Sequence, residues 1–209
     1  MIKEITPEQT NRAEACTLWM QAPMPMVTLL KTLDVTHLVR YAKRKKVKFN
    51  MLMCYCIGKA AGSISEFMVL PVDGKLIQYD KLAISTIILN KKGNINSCDI
   101  PFDKNIKIFN DNYLQLTEKV KTKCINYDLS EYMVIGTSAL VHCELDGVVN
   151  MYSGIFNNPF LVWSKYKRSW FKKKMKLSFQ FHHVQMDGAE ACHFLNRLQY
   201  LIDELGKKC

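Results

Sequence analysis

The 209-residue chain predicts an α+β two-layer sandwich, a mixed β-sheet covered by helices. Three observations predict it. Helical and strand-like patterns alternate along the whole length, without repeats, low-complexity runs or a linker. Met51 to Ser63 is apolar nearly all round, as a helix deep in a core must be. Hydrophobic residues at 48% and charged residues at 23% are ordinary for a globular chain, and this length suits one domain, 1–209, with a sizeable core.

The elements follow in order. Pro7 to Trp19 reads as a short helix entered at Thr6. Pro23 and Pro25 break the pattern, and Met26 to Leu33 reads as a strand. Asp34 caps a helix from Val35 to about Lys45, and Asn50 opens the apolar helix ending near Ser63. Phe67–Val72 and Lys75–Tyr79 form a hairpin, because Asp73-Gly74 supplies the positive φ angles of a two-residue turn. Lys81 to Leu89 is a strand ending in a polar loop, Asn90 to Asn96, and Phe102 to Thr122 reads as a helix. Tyr132–Leu145 and Val148–Phe156 read as strand-rich around Asp146-Gly147, and Phe160–Tyr166 as another strand. After a Lys-rich turn, Met175 to Phe181 is a strand leading to His182 and His183.

That last strand carries the candidate chemistry. Leu177, Phe179, Phe181 and His183 share one face by period two, so His183 extends the apolar row and His182 the polar one. Asp187 with Glu190 reads as a capping box, and Gly188 eases entry into a final helix with Cys192, Leu195, Leu198, Ile202 and Leu205 on one side. A histidine in an apolar wall four residues before a carboxylate suits a general base. The same residues also fit a satisfied core histidine and a simple helix cap.

No apolar run reaches the length of a membrane span, and the first residues lack a signal peptide's apolar segment, so the expected address is the cytoplasm. The eight cysteines form neither CxxC pairs nor a Cys/His ligand series, so they are expected to be buried thiols without a structural metal. A net charge of +10 concentrates at Arg40–Lys48, Lys165–Arg168 and Lys172–Lys174. Such runs suit an anionic partner such as nucleic acid, a membrane surface or a polyphosphate ligand, and equally a solvated lysine-rich surface.

The run from His182 to Gly188 resembles the HHxxxDG signature of the chloramphenicol acetyltransferases, whose fold dihydrolipoyl acyltransferases with HxxxDG share. Phe67–Asp80 is similar to that family's F-R-M-x-x-x-D-x-x-L-x-x-W-D hairpin, Lys48-Phe49 to its K-F pair, and Pro159–Tyr166 to P-x-x-x-M-G-K-Y. The likeness runs from about Arg12 to Leu205. It implies a chloramphenicol acetyltransferase-like fold and an acetyl-CoA-dependent O-acetyltransferase acting without metal. His183 would be the general base, Ser138 the hydroxyl that donates to the oxyanion, and Asp187 the carboxylate held in a buried pair with Arg12. Lys48 and Lys165 would lie near the 3′-phosphate of CoA, with Tyr166 stacked on adenine. Family members are homotrimers with the site at the subunit boundary.

The sequence departs from the family at several places, among them the missing W-x-R context of Arg12 and the run Ser153–Asn158, which has no clear counterpart. Val162 stands where the family has a threonine near the oxyanion, Ser164 replaces the glycine of G-K-Y, and Trp19–Met26 is methionine-rich where the acceptor segment is aromatic. Chloramphenicol is the acceptor the resemblance implies, and the altered Trp19–Met26 segment makes another alcohol the alternative. A basic nucleic-acid-binding module is a third reading, disfavoured because the lysines gather at expected turns and no RNA-binding signature is present. Neither nucleic acid nor membrane is an expected partner.

Overall fold

The computed structural model describes residues 2–152 and 154–207. In chain order it holds β1 (Ile2–Ile5), α1 (Ala13–Trp19), β2 (Met26–Asp34), α2 (Thr36–Lys45), α3 (Phe49–Ala61), β3 (Val69–Val72), β4 (Lys75–Tyr79) and β5 (Leu82–Leu89). Then follow β6 (Ile95–Pro101), α4 (Ile106–Lys123), β7 (Met133–Leu140), β8 (Phe160–Ser164), β9 (Lys167–Ser169), β10 (Lys172–His182) and α5 (Gly188–Lys207).

The main sheet runs β2-β10-β8-β7-β5-β6, with β9 added to the end of β10, while β1, β4 and β3 form a small antiparallel sheet. β7 is parallel to both β5 and β8 and the other pairs are antiparallel, so the sheet is mixed. Helices line one face. α3 lies against β5 and β7, α5 against β2, and α4 against β6. This is the α+β architecture the patterning predicts.

Local sequence explains most of these elements. Every residue from Met51 to Gly58 is buried, so α3 has no solvent face and is held by apolar burial all round. Gly58 matters there, because a Cβ would run into the Phe102 ring. The β3–β4 turn takes Asp73 at φ 50° and Gly74 at φ 77°, the left-handed pair expected of Asp-Gly. Asp34 supports the start of α2 as its Oδ1 accepts from the Thr36 amide at 3.0 Å and the Thr36 hydroxyl at 2.6 Å, although the helix begins one residue later than expected.

Four expectations need correction. The first helix is split into a 3-10 turn, Pro7–Gln9, and α1, because Thr10 is extended. The residues expected to be a loop up to Asn96 already begin β6, whose polar side chains hid a strand paired along its length with β5. α4 starts at Ile106, capped by the Asn105 side chain accepting from the Lys107 amide, rather than at Phe102. Among the described residues of 141–159 there is no strand. The segment's large apolar residues are not taken into the core; Val149, Met151 and Phe156 are 77%, 88% and 71% exposed.

Candidate active site

The turn between β10 and α5 is tied down on every side. The His183 amide donates to the Pro25 carbonyl at 2.8 Å, which anchors the end of β10 to the proline segment before β2. Gln185 Nε2 donates to the Val69 carbonyl at 2.8 Å, and Val184 and Met186 are fully buried. Arg12 comes from the opposite end of the sequence. Its Nε donates to the Val184 carbonyl at 3.0 Å and its Nη2 to the His183 carbonyl at 2.7 Å. Nη1 and Nη2 also reach the two Asp187 oxygens at 2.6 and 2.7 Å, a bidentate pair.

The structure therefore brings Arg12, His183 and Asp187 together. The Arg12 guanidinium is buried, while the Asp187 side chain is 48% exposed, so the pair is buried on the arginine side alone. Hydrogen bonding to Arg12 holds the Asp187 carboxyl below its ordinary range. The capping box is half formed. The Asp187 amide donates to Glu190 Oε2 at 3.0 Å, but the Asp187 carboxylate is engaged by Arg12 instead of the helix.

The two histidines exchange the environments expected of them. β10 ends at His182, so period two no longer applies to His183. His182 is 1% exposed, and burial, then His183, pushes its pKa down to about 4. It is neutral at pH 7, with Nδ1 accepting from the Val184 amide at 3.1 Å, which assigns the proton to Nε2. The His183 side chain is 33% exposed. Its Nδ1 is enclosed and lies 3.2 Å from Asp187 Oδ1 in a geometry that makes no hydrogen bond. The exposed part of the side chain therefore lies away from Nδ1. Trp19 stacks on the His183 ring with centroids 5.1 Å apart and planes 7° from parallel.

Ser138 lies elsewhere. It sits on β7 opposite Val162 of β8, which in turn faces Ser178 of β10. His183 is five residues beyond Ser178, so the two candidates stand roughly 15–20 Å apart within one chain, from about 3.3 Å per strand residue and 4.8 Å per strand spacing. Thr137 points into the core, which turns Gly136 and Ser138 to the face without helices. Gly136 lines a cleft of about 760 Å³ on that face, together with Ile87, Asp99, Met151, Phe156 and Phe160.

Lys165 and Tyr166 follow β8 and line a second cavity of about 260 Å³ with Phe49, Val141, Trp163 and Ser164. Phe49 meets the Tyr166 ring at 5.6 Å, and Lys48 immediately precedes it, exposed at the start of α3. Lys165 and Tyr166 thus share this cavity, while Lys48 adjoins it only through Phe49 and holds its ammonium 6.0 Å from the centre of the Tyr113 ring. Val162 is buried between Ser138 and Ser178 and offers no donor. Among the described residues, no group of three or more His, Cys, Asp or Glu side chains could hold a metal ion.

Sequence reasoning missed three contributors: the Trp19 ring on His183, the Pro25 carbonyl, and Gln185 as a tie to β3. Gln185 lies inside the HHxxxDG run and could have been suspected. The other two contacts join segments more than 150 residues apart and leave no local trace.

The fold is shared with acyltransferases of known structure. A chloramphenicol acetyltransferase superposes with a TM-score of 0.84 at 18% identity, covering 97% of this chain and 100% of that one. A dihydrolipoamide acetyltransferase of Azotobacter vinelandii superposes with a TM-score of 0.68 at 20% identity, covering 94% and 87%. These likenesses define the class by its fold. Within it, the chloramphenicol acetyltransferase family model matches residues 3–199, and the chain belongs to that family and is an acyltransferase. Chloramphenicol acetyltransferase 3 of Escherichia coli is 27% identical over 180 residues, covering 83% of this chain and 84% of the relative. Chloramphenicol acetyltransferase 2 of Escherichia coli is 24% identical over 202 residues, covering 94% and 95%.

Proposed function

We propose that the protein transfers the acetyl group of acetyl-CoA to a hydroxyl of chloramphenicol, in the cytoplasm, with His183 as general base. The observation that carries this reading is the Arg12 clamp on the carbonyls of His183 and Val184 and on Asp187, which fixes the turn that carries the imidazole while leaving its side chain partly open. An alcohol is far too weak an acid to ionise unaided at neutral pH, so a positioned imidazole that accepts its proton as the oxygen attacks removes most of that obstacle. The oxygen adds to the thioester carbonyl, the carbonyl oxygen becomes an oxyanion, and Ser138 Oγ donates to it. Collapse expels the CoA thiolate, which recovers the proton from His183.

Ser138 suits that role by its position along β7. Two residues before it, Gly136 lines the 760 Å³ cleft; three residues after it, Val141 lines the cavity of Lys165 and Tyr166. An acceptor in the first and CoA in the second would meet near the Ser138 hydroxyl. The cleft has the size of a small-molecule site. In the second cavity Tyr166 offers a ring for adenine and Lys165 offers charge to the 3′-phosphate, with Lys48 next to Phe49 at its edge as a second cation.

His183 is too far from Ser138 to share their substrate within one chain, which supports a site built between copies in a homotrimer. The exposed apolar side chains of Val149, Met151 and Phe156 suit such a contact. A second reading keeps the chemistry and changes the acceptor. It is favoured by Asp99 and Asp128, two carboxylates set among the apolar side chains of the cleft, which would meet polar groups of an acceptor. Thiol release from acetyl-CoA by the purified protein, with chloramphenicol and with a panel of other alcohols, separates them. Chloramphenicol-dependent release is expected; release with another alcohol alone would replace the acceptor, and no release with any would overturn the reading.

A further inference from the structure

The β9–β10 hairpin carries at its apex two adjacent aromatic side chains that no described residue covers. Trp170 and Phe171 are 87% and 83% exposed, between Ser169 and Lys172, which pair across the turn. Trp170 has φ 55°, a left-handed conformation that bulky residues rarely adopt. The hairpin therefore holds this aromatic pair outward at the cost of backbone strain.

Around the tip the surface is basic. Lys167, Arg168, Lys172, Lys173 and Lys174 flank it on both strands. Lys167 and Lys172 are partly offset by exposed pairs with Glu144 at 3.3 Å and Asp34 at 3.5 Å. Arg168 Nε donates to the Trp170 carbonyl at 3.2 Å, holding one cation directly under the apex. Lys43 and Arg40 of α2 approach the same patch. Desolvation first, then repulsion from Lys43, Arg40 and Arg168, holds the Lys173 ammonium below its ordinary pKa. A convex tip of Trp and Phe ringed by cations meets both requirements of an interfacial membrane contact: aromatic rings for the headgroup boundary and positive charge for anionic lipid. A nucleic acid would use the charge but not a convex apex, since stacking surfaces for bases are grooves or sheet faces.

We propose that the Trp170-Phe171 hairpin is a docking tip for an anionic lipid bilayer surface, which departs from the expectation of no membrane partner. No helix among the described residues is long and apolar enough to cross a membrane, so the contact would be peripheral and reversible. Its readout does not depend on acetyl transfer. The full chain would be sedimented with vesicles of equal parts phosphatidylglycerol and phosphatidylcholine, and with pure phosphatidylcholine, following tryptophan emission in parallel. The expected result is binding to the anionic vesicles only, weakened at high salt, with a blue shift of emission. Trp170→Ser with Phe171→Ser should lower partitioning about tenfold and abolish the shift, and Lys43→Glu with Lys174→Glu should lower it to a similar degree. CoA binding and the size of the assembly should not change in either variant. Absence of vesicle binding, or binding to random duplex DNA in its place, would overturn the proposal. So would partitioning indifferent to both variants. A several-fold loss of CoA affinity or a change of assembly size in the aromatic variant would assign the tip to the CoA site or to a subunit contact instead.

Discussion

All three nitrogens of the Arg12 guanidinium are engaged on one turn, and the sum of those contacts is larger than an ordinary surface ion pair. Replacing Arg12 by Ala leaves two carbonyls and a carboxylate without their donors. The expected loss is about 2 kcal/mol of stability, kept modest because Asp187 is half-exposed and can rehydrate. Acetyl transfer should fall mainly through kcat, since the turn that aims His183 is loosened while the candidate CoA residues lie elsewhere; a KM effect on acetyl-CoA alone would contradict this. His182 makes a separate, pH-dependent contribution. Its folded pKa of about 4 lies below the 6.5 of an ordinary histidine, so the unfolded chain binds the extra proton between those values. Its contribution is complete above pH 6.5 and is lost as pH falls toward 4, on the order of 3 kcal/mol in all at about 1.4 kcal/mol per pH unit. His182→Gln, which retains an acceptor for the Val184 amide, should flatten that acid limb in urea titrations at pH 7, 6 and 5. An unchanged slope would mean that His182 titrates normally.

Between residues and fold stand the elements, and here the chain's own patterning is most legible. α3 follows from an unbroken apolar run and the β3–β4 turn from Asp-Gly, because both signals are local. β6 was missed since Asn96, Ser97 and Asp99 give it a polar reading; only pairing with β5 identifies it. Conversely, 141–159 has the apolar content of strands, and its described residues form none. α3 also supplies a test of sign. Alanine in place of a helical glycine ordinarily stabilises by about 1 kcal/mol. At Gly58 the added methyl would strike Phe102, so Gly58→Ala should instead destabilise by about 2 kcal/mol, or roughly 4–8 °C in Tm. A raised Tm would show that Phe102 yields freely.

At the scale of the whole molecule, the candidate site is divided. Arg12 and Asp187 are 175 positions apart, and no local pattern pairs them; the resemblance of the HHxxxDG run, not periodicity, suggested that contact. Resemblance likewise suggested Lys165 and Tyr166, which line one cavity, and Lys48, which adjoins it through Phe49. What patterning got wrong was the environment of the histidines, because β10 is buried on both faces up to His182 and the chain turns just after it. The division of Ser138 from His183 makes a mixing experiment the most direct test of the mechanism. Ser138→Ala and His183→Ala proteins are each assayed for thiol release from acetyl-CoA with the acceptor, then unfolded together in equal amounts, refolded and assayed again. If His183 of one copy works against Ser138 of another, His183→Ala alone is inactive and Ser138→Ala alone is reduced about 10²–10³-fold. The refolded mixture then regains roughly a quarter of wild-type activity, as random pairing across a cyclic interface predicts. Turnover retained by His183→Ala, or a mixture no more active than the average of its parts, would contradict the account.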